Sequence, residues 1–128
     1  MRLLLDTCAF LWIAWDDPHI SPQARALFQD PSNELFLSSV SAWEISVKHA
    51  LGKLPLPEAP ERMIPRLRDV YGILPLPLEE VAIFGVARLP DLHRDPFDRM
   101  LICQAIAHGM VLLTDDPNIR RYPVRCLW

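Results

Sequence analysis

The chain has 128 residues, 51% of them hydrophobic, and a formal net charge of −3, which is enough apolar sequence for one domain with a substantial core. No apolar run approaches the ~18 to 20 residues that span a bilayer, and Met1-Arg2-Leu3-Leu4-Leu5 meets Asp6 too early for a secretory leader. A single cytoplasmic domain over residues 1–128 is therefore the expectation. Cys8, Cys103 and Cys126 are odd in number, widely spaced and set in apolar sequence. That speaks against a disulfide framework or a thiolate zinc site and marks them as small core residues.

In chain order, short apolar runs alternate with longer amphipathic segments. The first run predicts a strand over residues 2–5, ending in Asp6. Asp6 then precedes the apolar segment 9–15, for which it is a candidate N-cap. Ser21-Pro22 has the form of an N-cap with proline at the first helical position and opens a helix through residues 24–28. A strand over 34–38 leads to a helix from Ser41 to Gly52 with Trp43, Val47, Ala50 and Leu51 on its apolar side. The proline-rich stretch 54–60 reads as an ordered connector. Helices follow over 61–70, 78–86 and 96–108, and strands over 72–76, 110–114 and 124–127, with Gly109 stopping the longest helix. Repeated βα units of this kind predict an α/β fold around a mostly parallel central sheet.

Carboxylates at the carboxyl ends of buried strands are where such folds gather ligands and metals. Here Leu3-Leu4-Leu5 runs into Asp6, and Val111-Leu112-Leu113-Thr114 runs into Asp115 and Asp116. Between them lie Glu44, Asp95 and Asp98, each at an expected helix start. Taken singly, each has an architectural explanation. Ser41-Ala42-Trp43-Glu44 fits a capping box; Asp95-Pro96-Phe97-Asp98 fits an N-cap, a first-position proline and an acid facing the helix dipole. Asp116-Pro117 follows the same rule, as do Asp17-Pro18 and Asp30-Pro31, where no chemistry is expected. Only the combination points further. A central strand ending in Asp6 would open on the same edge as the other acids, and carboxylates packed together oppose one another's ionisation unless a cation intervenes.

The motifs Leu4-Leu5-Asp6-Thr7, Ser41-Ala42-Trp43-Glu44-Ile45 with Lys48 and Gly52-Lys53-Leu54, His93-Arg94-Asp95-Pro96-Phe97-Asp98-Arg99-Met100-Leu101-Ile102 and Leu113-Thr114-Asp115-Asp116 occur in this order along the whole chain. Together they resemble the PIN domain, and more closely the VapC toxin ribonucleases of toxin–antitoxin pairs. The resemblance implies an α/β/α sandwich with about five strands and a Mg2+- or Mn2+-dependent endoribonuclease. Carried over by position, it implies Asp6, Glu44, Asp98 and Asp116 as the catalytic and metal-binding set. Asp95, Asp115 and Thr114 are candidates to support those ligands from behind, and either Asp95 or Asp115 can exchange roles with its acidic neighbour. Arg94 and Arg99 are candidate contacts to RNA phosphate, Arg99 alternatively pairing with an adjacent acid. A hard divalent ion with oxygen ligands and retained waters suits hydrolysis by in-line attack with a 3′-oxygen leaving.

The resemblance also implies a cognate antitoxin whose end lies along the site, and a homodimer. Phe10, Trp12, Trp15 and Trp43 either line that groove or, as aromatics at helical spacing, belong to the core. Setting aside the four site acids leaves 13 basic against 12 acidic residues, a surface that need not repel a polyanion. Two other classes compete. A Mg2+-dependent phosphoryl-transfer protein also places aspartate after its first strand, but Cys8 stands where a phosphatase of that type wants its second aspartate, and residues 2–5 lack the paired acids of a receiver. A catalytically inactive PIN-fold scaffold has no reason to keep four carboxylates together, which cost stability when crowded.

Overall fold

The computed structural model describes residues 1–128. Strands Arg2–Leu5 (β1), Glu34–Ser38 (β2), Ile73–Leu76 (β3), Val111–Leu113 (β4) and Cys126–Leu127 (β5) form one sheet in the order β3-β2-β1-β4-β5. Every neighbouring pair is parallel. The helices are Thr7–Ala14 (α1), Pro22–Gln29 (α2), Ser39–Ala50 (α3), Pro60–Tyr71 (α4), Glu80–Phe84 (α5), Pro96–His108 (α6) and Pro117–Arg120 (α7). The chain builds outward from β1 to β3 and then returns to the other side of β1 for β4 and β5. The strand order therefore reverses between β1 and β4, the position at which open parallel sheets form a ligand crevice.

Parallel strands covered on both faces read as unbroken apolar runs, and Leu3, Leu4 and Leu5 are all fully buried. Alternation sorts them by side. Leu3 and Leu5 join Leu37 and Leu113 against Phe10 of α1, Ile45 of α3 and Met63, Ile64 and Leu67 of α4. Leu4 and Leu112 join Leu101, Ile102 and Ala105 of α6 and Ile119 of α7. With roughly 1.5–3 kcal/mol from each fully buried leucine side chain, β1 is held from both sides and the residues after Leu5 are delivered to a fixed place.

Several boundaries differ from expectation. Helix α3 starts at Ser39, because the Ser38 hydroxyl accepts the Val40 N–H at 2.9 Å directly at the end of β2. Glu44 consequently lies in the second turn and is no capping-box residue, a correction to the reading of Ser41-Ala42-Trp43-Glu44. The expected helix over 78–86 is divided into α5 and a 3-10 turn at Gly85–Arg88. Strand β5 is confined to two residues. Helix α6 matches its expected span: Asp95 accepts the N–H groups of Phe97 at 2.9 Å and Asp98 at 3.1 Å, and Gly109 adopts the left-handed conformation (φ 62°) that stops it. Cys103 is buried and Cys126 half-buried, but Cys8 is exposed at the start of α1, so it is not a core residue.

Candidate active site

Asp6 is both a helix cap and a member of a larger constellation. Its Oδ1 accepts the Ala9 N–H at 2.6 Å, capping α1. Its Oδ2 accepts the Thr114 hydroxyl, and Thr114 Oγ1 in turn accepts the Asp116 N–H at 3.1 Å. Thr114 is fully buried. It therefore ties the end of β4 to the end of β1 across the reversal of strand order. Asp116 caps α7 by accepting the Asn118 N–H at 2.8 Å. Asp115 is exposed and makes none of the structure's side-chain hydrogen bonds.

Helix α3 brings Glu44 to the same edge. Its Oε1 accepts the Thr7 hydroxyl at 2.6 Å, and its Oε2 pairs with Lys48 one turn on. Thr7 Oγ1 also lies 3.1 Å from the Ser41 hydroxyl, linking α1 to α3. From α6, Asp98 presents Oδ2 to His93 Nε2 at 3.1 Å. The other ring nitrogen of His93 is 2.7 Å from the Tyr122 hydroxyl. Arg99 pairs with no acid; its Nη1 donates to the Pro90 carbonyl and to the Tyr122 hydroxyl, both at 2.9 Å. Arg94 is exposed.

The electrostatics join these side chains into one field. Burial pushes the Asp6 carboxyl up to about 6, against the hydrogen bonds from Thr114 and Ala9 that favour its ionised form, and the charges of Asp116 and Glu44 push it the same way. Asp98 is likewise raised to about 6 by burial, opposed by the bond from His93 and reinforced by Asp95, Asp116 and Glu44. Lys48 is shifted upward: its partial burial opposes this, but the hydrogen bond and charge of Glu44 prevail. Cys8, accessible on one side but partly desolvated beside the same acids, has its thiol raised to about 11 by that desolvation and by the charges of Asp6 and Glu44, and so remains protonated. A donor set of four carboxylates whose negative charge is answered only in part suits a hard divalent cation. As the side chains stand, no three of these acids are gathered closely enough to hold a metal ion.

The molecule's four concavities are lined by other residues, with none of Asp6, Glu44, Asp98 or Asp116 among them. Of the aromatics, Phe10 is core and Trp12 packs at the core's margin, whereas Trp15 (44% exposed) and Trp43 (57% exposed) face solvent. Trp43 meets Phe97 edge to face with ring centroids 4.8 Å apart, bridging the starts of α3 and α6.

A PIN domain model matches residues 3–124 of the chain. The chain belongs to the PIN domain family. Over 94% of its length this PIN domain is 35% identical to ribonuclease VapC16 of Mycobacterium tuberculosis, covering 87% of that protein, which places it among PIN domains of VapC type. Its fold is that of VapBC2 from Rickettsia felis bound to a promoter DNA fragment (TM-score 0.70, 16% identity, 99% of this chain and 98% of that one). The DNA-bound VapBC of Salmonella typhimurium matches equally well (TM-score 0.70, 19% identity, 99% and 97%). These likenesses agree with the expected α/β/α sandwich and five-stranded sheet.

At the PIN edge Asp6 and Asp98 each feel the charges of Glu44 and Asp116, and Asp95 caps α6 one turn before Asp98. Thr7, Ser41, Lys48, His93 and Tyr122 were not anticipated as parts of it. Thr7 had a signal in its adjacency to Asp6, and Lys48 in its four-residue spacing from Glu44. Tyr122 had none, since its partner His93 lies 29 residues away.

Proposed function

We propose that this chain is a Mg2+- or Mn2+-dependent endoribonuclease, the toxin of a VapBC-type pair, working in the cytoplasm as a single domain over residues 1–128. The observation that carries this reading is the shared field of Asp6, Glu44, Asp98 and Asp116 at the reversal of strand order, with Asp6 and Asp98 both raised to about 6. The 35% identity to a protein named as a ribonuclease supports the choice of RNA.

Asp6 and Asp98 would hold the cation, with Asp116 completing its surroundings. When bound, a divalent ion supplies charge neutralisation at a scissile phosphate and activation of water. The chain's own residues do the rest. Glu44, fixed from one side by Thr7 and from the other by Lys48, is set to accept a proton from the attacking water. Thr114 holds Asp6 Oδ2 toward the site, and the cap bonds to Asp95 fix the first turn of α6 from which Asp98 projects. Arg94, exposed beside Asp95, is placed to meet an RNA phosphate. The cognate antitoxin would cover this edge, in keeping with the fold shared with VapBC-5 of Mycobacterium tuberculosis, a member of the VapBC family of toxin-antitoxin systems, and the toxin would be a homodimer.

The test is cleavage of total RNA by the purified chain. Cleavage that requires Mg2+ or Mn2+, stops on EDTA and is lost in Asp6→Asn is expected. Cleavage persisting in Asp6→Asn would remove the assigned site, and no cleavage by the native chain would favour an inactive scaffold.

A further inference from the structure

Two donors and two acceptors converge on the Tyr122 hydroxyl, and together they decide where its proton points. Arg99 Nη1 donates to it at 2.9 Å and the His93 backbone N–H donates at 3.2 Å, so both lone pairs of the phenol oxygen are taken. The phenol's own proton then has two acceptors in reach: His93 Nδ1 at 2.7 Å and the His93 carbonyl at 3.5 Å. The shorter contact has the geometry of a good O–H···N bond and the longer is at the limit of one. His93 Nδ1 is therefore the acceptor, and the ring carries its hydrogen on Nε2. That nitrogen lies 3.1 Å from Asp98 Oδ2 and donates to it.

We propose that His93 and Tyr122, set by Arg99, are positioning residues that fix the imidazole tautomer and thereby hold the Asp98 carboxylate by Oδ2, leaving Oδ1 without a partner in the fold and free for the cation. This rests on the proposed function of the same edge. The parts are built for the task rather than incidental. Tyr122 is 4% exposed, its ring meets that of His93 edge to face with centroids 5.3 Å apart, and the Arg99 guanidinium lies over the ring at 5.8 Å. Arg99 is anchored independently through the Pro90 carbonyl, so the sequence Arg99 to Tyr122 to His93 to Asp98 runs from a fixed cation to a carboxylate with one donor at each step. The arrangement resembles the outer hydrogen bonds that orient metal ligands elsewhere, whose loss typically weakens metal affinity by about 10- to 100-fold.

The experiment is Mn2+ binding to the full chain by calorimetry, beside its melting temperature in EDTA and long-range 1H–15N NMR of the imidazoles. Expected are a protonated Nε2 on His93 in the native chain, Mn2+ affinity weakened about 10- to 100-fold in His93→Ala and Tyr122→Phe, and substantial recovery in His93→Gln, whose amide restores a donor to Asp98. A purely architectural role would lower the melting temperature of these variants and leave Mn2+ affinity unchanged, and that result, or a His93 hydrogen found on Nδ1, would overturn the proposal. Because His93→Gln keeps the donor, it remains informative if Tyr122→Phe folds poorly. Failure of the native chain to bind Mn2+ would instead overturn the proposed function, and the positioning role with it.

Discussion

The edge acids and the turn acids obey the same local rules and end in opposite electrostatic states. Asp17 and Asp30, each followed by proline, accept N–H groups two residues on, from His19 and Ser32, both at 2.9 Å. Their carboxyls, Asp17 half-exposed and Asp30 exposed, are held below the ordinary range by those N–H bonds and by side-chain bonds from the same two residues. Asp6 also accepts a helix-start N–H, and Asp98 sits just after an Asp-Pro. Both are nonetheless raised, because burial removes the water that stabilises their charge and neighbouring carboxylates add to the cost. The capping grammar is thus silent about function. What separates the two groups is the environment the sheet imposes after the cap has formed.

Substitution breaks the comparison most sharply. Asp98→Asn is expected to lower metal-dependent RNA cleavage about 10²- to 10⁴-fold, since several kcal/mol of transition-state charge stabilisation pass through that carboxylate. Asp30→Asn, which also removes an aspartate before proline, is expected to leave cleavage within about twofold. Single-turnover cleavage rates at saturating Mn2+ measure both. Equal losses at the two positions would mean that the acids matter for folding alone.

A smaller but more general effect is the response of the metal-free chain to pH. An acid whose folded pKa lies above its unfolded value of about 3.9 binds more protons when folded, so it costs stability in full above the folded pKa and the cost fades as pH falls. For Asp6 and Asp98 the folded values are about 6. In EDTA, denaturant midpoints should therefore rise as pH drops from 7 toward 5. The turn acids have the opposite sign, their lowered carboxyls losing favourable interactions only at more acidic pH. Saturating Mg2+ should flatten the rise between pH 7 and 5, because the ion takes the place of the proton. A metal-free chain whose stability falls steadily over that interval would contradict the raised carboxyls.

How much of this was legible in the sequence follows the same division. The strands at 2–5 and 34–38 and the helix at 96–108 were readable because apolar runs, N-caps and a terminal glycine act locally. The start of α3 was not, because Ser38, Ser39 and Ser41 offer the same capping chemistry, and only the direct passage from β2 selects Ser38. Glu44 enters the candidate site only through the family resemblance, and the capping box that its local sequence suggests does not form because α3 begins at Ser39. Its actual supports, Thr7 and Lys48, come from another helix and the next turn. The exposure of Cys8 has no sequence signal because the segment around it is apolar throughout. His93 carried no signal of its own in the sequence beyond membership of a motif, since Tyr122, which orients it, is brought there by the passage through β4 and α7.

Asp95 is where the two kinds of acid meet, and it yields the smallest effect. It caps α6 with two N–H bonds, as a turn acid would, yet its charge also contributes to raising Asp98. If capping is its task, Asp95→Ser should preserve it, serine being as good a cap as aspartate, while Asp95→Ala should lower stability by about 1 kcal/mol. Removing its charge should also ease the ionisation of Asp98, so Mn2+ affinity in Asp95→Ser should change by no more than a few fold. Calorimetry on the two variants separates the roles: a cap is rescued by a hydroxyl, whereas an acid that holds the cation directly is not. Loss of Mn2+ binding in a stably folded Asp95→Ser chain would transfer the ligand role from Asp98 to its neighbour one turn earlier.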